Sequence, residues 1–249
     1  LLIFALLGVH ILHTNFADGK IKVLVVEDET AIRKFININL QRSGFDVYEA
    51  DSGEKAIELL GKINPHVVVL DIMLPGIDGF EVCTKVREHN NQVIIIMLTA
   101  KSQDMDKIMG LELGADDYMV KPFNPLELIA RIKTIMRRVE LQSTNKNIIK
   151  HGNIELDIKG QRVYKNGKEV DLTPTEFAIL KLFMENPGKA INRDEILNTI
   201  WGKNYFGDLK TIDVYVRRIR EKIEDVPSKP VFIETVWGTG YRWNEDEHE

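Results

Sequence analysis

The sequence predicts two folded units: an α/β domain built on a doubly wound, five-stranded parallel sheet and, after it, a smaller α+β domain. Three observations carry this. Between residues 20 and 139, short apolar runs alternate with helix-length amphipathic stretches. Three of those runs are nearly continuous Val, Ile and Leu, the pattern of parallel strands buried on both faces. Past residue 150 the alternation stops, and a hairpin signal, three helices and a second hairpin follow. The chain has 249 residues, 44% hydrophobic and 29% charged, ordinary values for two domains with real cores. Disorder over most of the length is excluded.

Taken in order, strands are expected at 21–26, 45–50, 66–70, 93–98 and 117–120, with helices at 30–42, 52–63, 79–90, 102–113 and 125–139. In the last helix Leu126, Ile129, Ile132 and Met136 share one face, as a helix packed on a sheet requires. Residues 140–150 (ELQSTNKNIIK) lose the periodicity and read as a linker. In the second unit, Asn166-Gly167 is a two-residue hairpin signal. Thr173, Pro174 and Glu176 form a capping box that starts a helix. Asn192 and Glu195 start the next helix in the same way, and Asp208 caps a third that runs to about 224. The segment 231–243 closes as a hairpin around Gly-Thr-Gly. Three helices followed by such a hairpin describe a winged helix-turn-helix, here over 151–244.

The ends are read separately. Residues 1–19 open LLIFALLGVHIL, apolar but shorter than the ~20 residues a spanning helix needs. A secretory signal would want a basic segment before the apolar run, and the residues at hand begin with the run itself. They are expected to be an upstream extension or the trimmed end of something longer, with a membrane anchor as the alternative. His10 and His13 lack a third ligand for a metal. Residues 245–249 form an acidic tail. The single cysteine, Cys83, makes no internal disulfide and reads as a small buried hydrophobe. Net charge is −5, which excludes an evenly basic nucleic-acid binder. Acids slightly outnumber bases over 20–139 and the reverse holds over 140–244, so a local basic face is left open.

In a doubly wound sheet, polar residues at the carboxyl ends of strands meet in one crevice. Those ends carry Glu27, Asp28 and Glu29, then Asp71, then Thr99, then Lys121 before Pro122. Converging carboxylates repel unless a cation shares the site, and few oxygen ligands suit Mg²⁺. Asp71, central among them, is the candidate nucleophile, because a carboxylate can accept a phosphoryl group as an acyl phosphate. Lys121 and the Thr99 hydroxyl are placed to meet phosphoryl oxygens. Met73 stands where a haloacid-dehalogenase type of phosphatase needs a second Asp. No Gly-rich dinucleotide turn follows the first strand, and a P-loop is absent.

Projected on a helix, 209–224 carries Ile212, Val216, Ile219 and Ile223 in a core stripe. The opposite face, with Lys210, Val214, Arg217, Arg218 and Glu221, is expected to be exposed and able to lie in a major groove.

VVEDE, DIMLPGIDGFE, MLTAK and DDYMVKPF resemble the receiver domain of two-component response regulators over 20–139. The resemblance implies Asp71 as phosphoacceptor. It implies Mg²⁺ held by Asp28, Asp71 and the Met73 carbonyl, with Glu27 acting through water. Thr99 and Lys121 would touch the phosphoryl group, small Ala100 would leave room for it, and Tyr118 would be the switch coupled to Thr99. The Lys121–Pro122 bond would be cis.

LTPTEFAILKLF, INRDEILNTIWG, DLKTIDVYVRRIREKIE and ETVWGTGYRW resemble the effector domain of the OmpR/PhoB subfamily. By that resemblance Arg218 and Val214 face bases, Arg193, Trp201, Arg217 and Thr239 contact the backbone, and Tyr215, Arg220 and Lys210 lie nearby. Trp237 stands in the wing where some relatives carry Arg. The loop 202–207 would engage RNA polymerase or position dimers.

A two-fold receiver dimer would pair Lys107 with Glu127, Asp116 and Asp117 with Arg131, and Glu112 with Arg138. The implied protein is a cytoplasmic, phosphorylation-activated transcription regulator with slow self-phosphoryl-transfer chemistry. Its partners are a sensor histidine kinase and promoter DNA in direct-repeat or paired half-sites. One rival is a DNA binder indifferent to phosphorylation. Another is a hydrolase turning over at Asp71, which steady phosphate release would reveal.

Overall fold

The computed structural model describes residues 20–100, 104–140, 148–202, 205 and 208–244. The apolar start with His10 and His13, residues 101–103, the acidic tail, most of the 140–150 stretch and, in the 202–207 loop, residues 203, 204, 206 and 207 lie outside the described residues. Among the described residues, no helix is long and apolar enough to cross a membrane.

The first half alternates β1 (Lys22–Val26), α1 (Thr30–Arg42), β2 (Asp46–Ala50), α2 (Gly53–Ile63), β3 (Val67–Asp71), α3 (Gly79–His89), β4 (Ile94–Ala100), α4 (Asp104–Glu112), β5 (Asp117–Lys121) and α5 (Pro125–Glu140). The five strands pair in parallel in the order β2-β1-β3-β4-β5, a doubly wound sheet whose topological switch point lies between β1 and β3. Alternation along the strands divides the core. Val23, Val25, Val69, Ile96 and Leu98 pack toward α1 and α5, whereas Leu24, Val26, Leu70, Ile95 and Met97 pack on the other face. Cys83 is fully buried there, and burial pushes its thiol up to about 11. The Lys121–Pro122 bond is cis.

Loops at the carboxyl edge are tightly held. Asp78 caps α3 by accepting from the Glu81 N–H at 2.9 Å. Beside it a Cβ on Gly79 would lie 2.2 Å from the Asp71 carbonyl oxygen and 2.7 Å from the Ile72 Cα. Backbone cannot yield as a flexible side chain does. Gly79→Ala is therefore expected to cost about 1–3 kcal/mol, read as a lower urea midpoint at unchanged slope.

The second half holds two small sheets around three helices. β6 (Ile148–His151), β7 (Ile154–Asp157), β8 (Arg162–Lys165) and β9 (Lys168–Val170) form a four-stranded antiparallel sheet. Its last turn is the expected Asn166-Gly167, both at positive φ (52° and 73°), the conformation a two-residue hairpin needs. Then follow α6 (Pro174–Met184), β10 (Ala190–Asn192), α7 (Arg193–Trp201), α8 (Lys210–Ile223), β11 (Ile233–Val236) and β12 (Gly240–Trp243). Thr173 and Glu176 complete the α6 capping box, and Asn192 caps α7. Asp208 sits one residue before the α8 cap position and accepts from the Lys210 N–H at 2.9 Å. The terminal hairpin is one strand richer than expected, because β10 pairs with β12 to give the order β10-β12-β11.

One expectation is corrected. Ile212, Val216, Ile219 and Ile223 are buried as the stripe requires, but Val214, Tyr215 and Arg218 are buried as well. The cover comes from the other domain, since α8 packs on α4. A single apolar cluster runs from Val82, Met97 and Leu111 through Ala115 and Tyr118 into Val214, Tyr215 and Phe177. A helix projection sees only its own chain segment, so it assigned this second face to solvent.

Candidate functional site

The crevice lies where β1, β3, β4 and β5 end. Glu27, Asp28 and Asp71 each offer an oxygen, and these lie within 4.8 Å of one another. Glu27 and Asp71 are buried, with Asp28 more open to water. Lys121 reaches in from β5 and bridges the two buried acids, its Nζ 2.8 Å from Asp71 Oδ2 and 2.7 Å from Glu27 Oε2. Burial pushes the Glu27 carboxyl above the usual range and Asp71 adds to this, while Lys121 pulls it back. Burial alone would lower the Lys121 ammonium, but its bonds to Asp71 and Glu27 outweigh that and raise it. The lysine is thus charged and already balances the acids. Thr99 is buried at the end of β4, its hydroxyl donating to the Ala100 carbonyl at 3.3 Å. The Met73 N–H points at Asp71 Oδ1, 3.4 Å away, and the Met73 side chain is exposed.

The acidic loop has a brace that sequence reasoning missed. Arg33 of α1 donates to the carbonyls of Glu27 and Asp28 at 2.6 and 3.0 Å and pairs with Glu49 on β2. An Arg one turn into an amphipathic helix carries no signal of that task. A hard, all-oxygen donor set around one crevice fits Mg²⁺, which keeps several waters when few carboxylates bind it.

At α8, Arg218 is held from both sides. It pairs with Glu176 of α6 at 2.7 Å and donates to the Leu111 carbonyl at the end of α4. Glu176 also accepts from Lys222 at 2.7 Å and from the Thr173 N–H at 2.8 Å. Tyr215 donates to the Ala115 carbonyl at 3.0 Å. Arg220 bonds the Ile233 carbonyl and the Thr235 hydroxyl, tying α8 to β11. Arg193 pairs with Asp213 at 2.7 Å and lies over the Tyr241 ring. Trp201 is buried beside Tyr205 and Tyr215. Lys210, Arg217 and Thr239 are exposed, and Trp237 at the wing tip is 90% exposed.

Residues 23–133 match the family model described as response regulator receiver domain. Residues 167–243 match the model described as transcriptional regulatory protein, C terminal. The chain is 45% identical over 220 residues to the transcriptional regulatory protein AfsQ1 of Streptomyces coelicolor, covering 88% of this chain and 96% of that one. It belongs to the response regulators of the OmpR/PhoB type.

Two solved mutant forms of RitR share the fold at 24% and 23% identity, with TM-scores of 0.73 and 0.72 over 92% of this chain and 100% of theirs. By its two family models and its likeness to AfsQ1, this response regulator is a DNA-binding transcription factor of a two-component system rather than a metabolic enzyme. Its receiver implies a sensor kinase and its effector domain implies DNA as partners.

In the single chain of this regulator, the residues expected at a two-fold interface have partners at hand. Arg131 pairs with Asp117 at 2.9 Å and with Glu127 at 2.5 Å. Asp116 is fully buried and pairs with Arg87 at 2.7 Å rather than with Arg131. Burial raises the Asp117 carboxyl, with Arg131 and the Tyr205 hydroxyl opposing. Glu112 meets Arg217 of α8. Lys107 lies over the Tyr118 ring, 5.5 Å from its centroid. The Arg138 side chain is outside what is described. Tyr118 is mostly buried, and its hydroxyl accepts from the Asp208 N–H at 3.4 Å.

Proposed function

We propose that this response regulator accepts a phosphoryl group on Asp71 from a histidine kinase and that the charged receiver then pairs with a second copy to grip promoter DNA. The observation that carries the reading is the meeting of Asp71 with Glu27, Asp28 and Lys121 at three strand ends, with Thr99 at a fourth.

A carboxylate oxygen of Asp71 attacks the phosphorus of a phosphohistidine. The P–N bond breaks, its electron pair stays on the imidazole nitrogen, and an acyl phosphate forms on Asp71. Lys121, now bonded to Asp71 Oδ2, follows the new charge to a phosphoryl oxygen. The Thr99 hydroxyl turns from the Ala100 carbonyl to another. Asp28, Asp71 and the Met73 carbonyl would hold Mg²⁺, with Glu27 through water, and the ion would supply neutralisation of charge on the acids and the incoming oxygens. Ala100 leaves the approach open. Movement of Thr99 draws Tyr118 inward, and the change reaches the α4–β5–α5 face.

There Lys107, Glu112, Asp117, Glu127, Arg131 and Arg138 form the pairing surface, each contact occurring twice across the two-fold axis, while Asp116 stays turned inward to Arg87. Two effector domains then meet half-sites one helical turn apart. Arg218 and Val214 face bases, with Lys210, Tyr215, Arg217, Arg220, Arg193, Trp201, Thr239 and Trp237 along the backbone or nearby. The 202–207 loop engages RNA polymerase or positions the dimer.

Acetyl phosphate with Mg²⁺ tests the reading. The expected result is one hydroxylamine-labile phosphoryl group per chain, a doubled mass in sedimentation and tighter operator binding, all lost with a chelator. Unchanged operator affinity in a phosphorylated chain would favour a DNA binder indifferent to phosphorylation.

A further inference from the structure

Four consecutive receiver residues are each engaged by the effector domain. The Ala115 carbonyl accepts from Tyr215 at 3.0 Å. The Asp116 carboxylate accepts from the Thr175 N–H at 3.0 Å, at the start of α6, and its carbonyl accepts from the Thr175 hydroxyl at 3.3 Å. Asp117 accepts from the Tyr205 hydroxyl at 2.7 Å. Tyr118 accepts from the Asp208 N–H. One of these four, Asp117, belongs with Arg131 to the ion pairs through which receivers are proposed to meet.

Tyr205 is the side chain that takes both members of one such pair. Its hydroxyl binds Asp117, and its ring lies under the Arg131 guanidinium, 4.4 Å from centroid to carbon. Trp201 backs the ring at 5.5 Å. With Tyr205 in place, Asp117 is 1% exposed and Arg131 11% exposed. A second receiver cannot reach that pair while the tyrosine covers it. We infer that Tyr205 is a latch, holding the α4–β5–α5 face against this chain's own effector domain and competing there with a second copy for Asp117 and Arg131.

The inference deepens the proposed function and rests on its claim that receivers pair through this face. The contact is a hydrogen bond to a charged acceptor together with a cation–π contact, and both are partly shielded from water. Removing the side chain therefore favours self-association by roughly 10- to 100-fold.

The test is sedimentation of the full unphosphorylated chain as wild type, Tyr205→Ala and Tyr205→Phe, with wild type plus beryllofluoride and Mg²⁺ as the reference dimer. Circular dichroism establishes that each variant is folded. The expected result is that Tyr205→Ala self-associates 10- to 100-fold more strongly than wild type without beryllofluoride. Tyr205→Phe, which keeps the ring over Arg131 and loses the bond to Asp117, falls between them. The gain persists when Asp71→Asn is added, because it does not pass through phosphorylation. A folded Tyr205→Ala that associates no better than wild type, while wild type dimerises with beryllofluoride, overturns the latch and leaves the proposed function standing. If wild type with beryllofluoride also stays monomeric, the pairing reading fails and takes the latch with it.

Discussion

Asp71→Asn is expected to reduce labelling by a small phosphodonor to background and to abolish the accompanying gain in operator binding. An amide oxygen carries no full charge, so it neither attacks phosphorus nor offers Mg²⁺ an anionic ligand. The fold should survive the change. Asn fills the same volume at the end of β3, and Lys121 keeps Glu27 at 2.7 Å. The readout is intact mass before and after hydroxylamine, for wild type and variant in parallel. A variant that gained the same labile mass would place the phosphoryl group on another residue and remove the central step. Unfolding in urea, measured alongside, separates loss of chemistry from loss of structure.

Arg218→Ala carries the second large effect, and it falls on sequence discrimination. A bidentate contact from Arg to guanine is worth about 1–3 kcal/mol against the wrong base. The variant, loaded with beryllofluoride and Mg²⁺, should lose about that much preference for its operator over a scrambled duplex at fixed salt. Its affinity for the scrambled duplex should change far less, because one lost phosphate contact shifts the salt slope by only about one unit. Equal losses on both duplexes would make Arg218 a backbone contact. No loss on either would leave it the role visible in the closed chain, bound to Glu176 and the Leu111 carbonyl.

Much of this was legible because the signals are local. The Val, Ile and Leu runs of β1, β3 and β4 are buried on both faces, so they stand out without alternation. The capping residues Thr173 and Asn192 act within one helical turn. Glu27, Asp28, Asp71 and Lys121 could be gathered from strand ends because a parallel sheet aligns those ends. What escaped was short or distant. β10 is three residues long, below the length at which period two is distinguishable from chance. β6 and β7 have four residues each, beside a segment that reads as linker, whereas β8 and β9 could be placed because the Asn166-Gly167 turn marks both. The burial of Val214 and Arg218 depends on α4, far away in sequence. Asp116 shows the same limit: in sequence it stands beside Asp117 as an acid for Arg131, but the fold turns it inward to Arg87 and the Ile95 N–H.

The seat at Ala115–Tyr118 has a consequence for how such a regulator chooses its sites. On the proposed reading, holding α8 in a groove vacates that seat just as surely as phosphorylation does. Coupling between two ligands is symmetric in free energy. The factor by which a phosphoryl mimic tightens the hold on DNA must then equal the factor by which DNA tightens the hold on the mimic. A promoter is in this sense an effector of a crevice it never touches, and a genome's strong sites enrich the activated form as well as the protein.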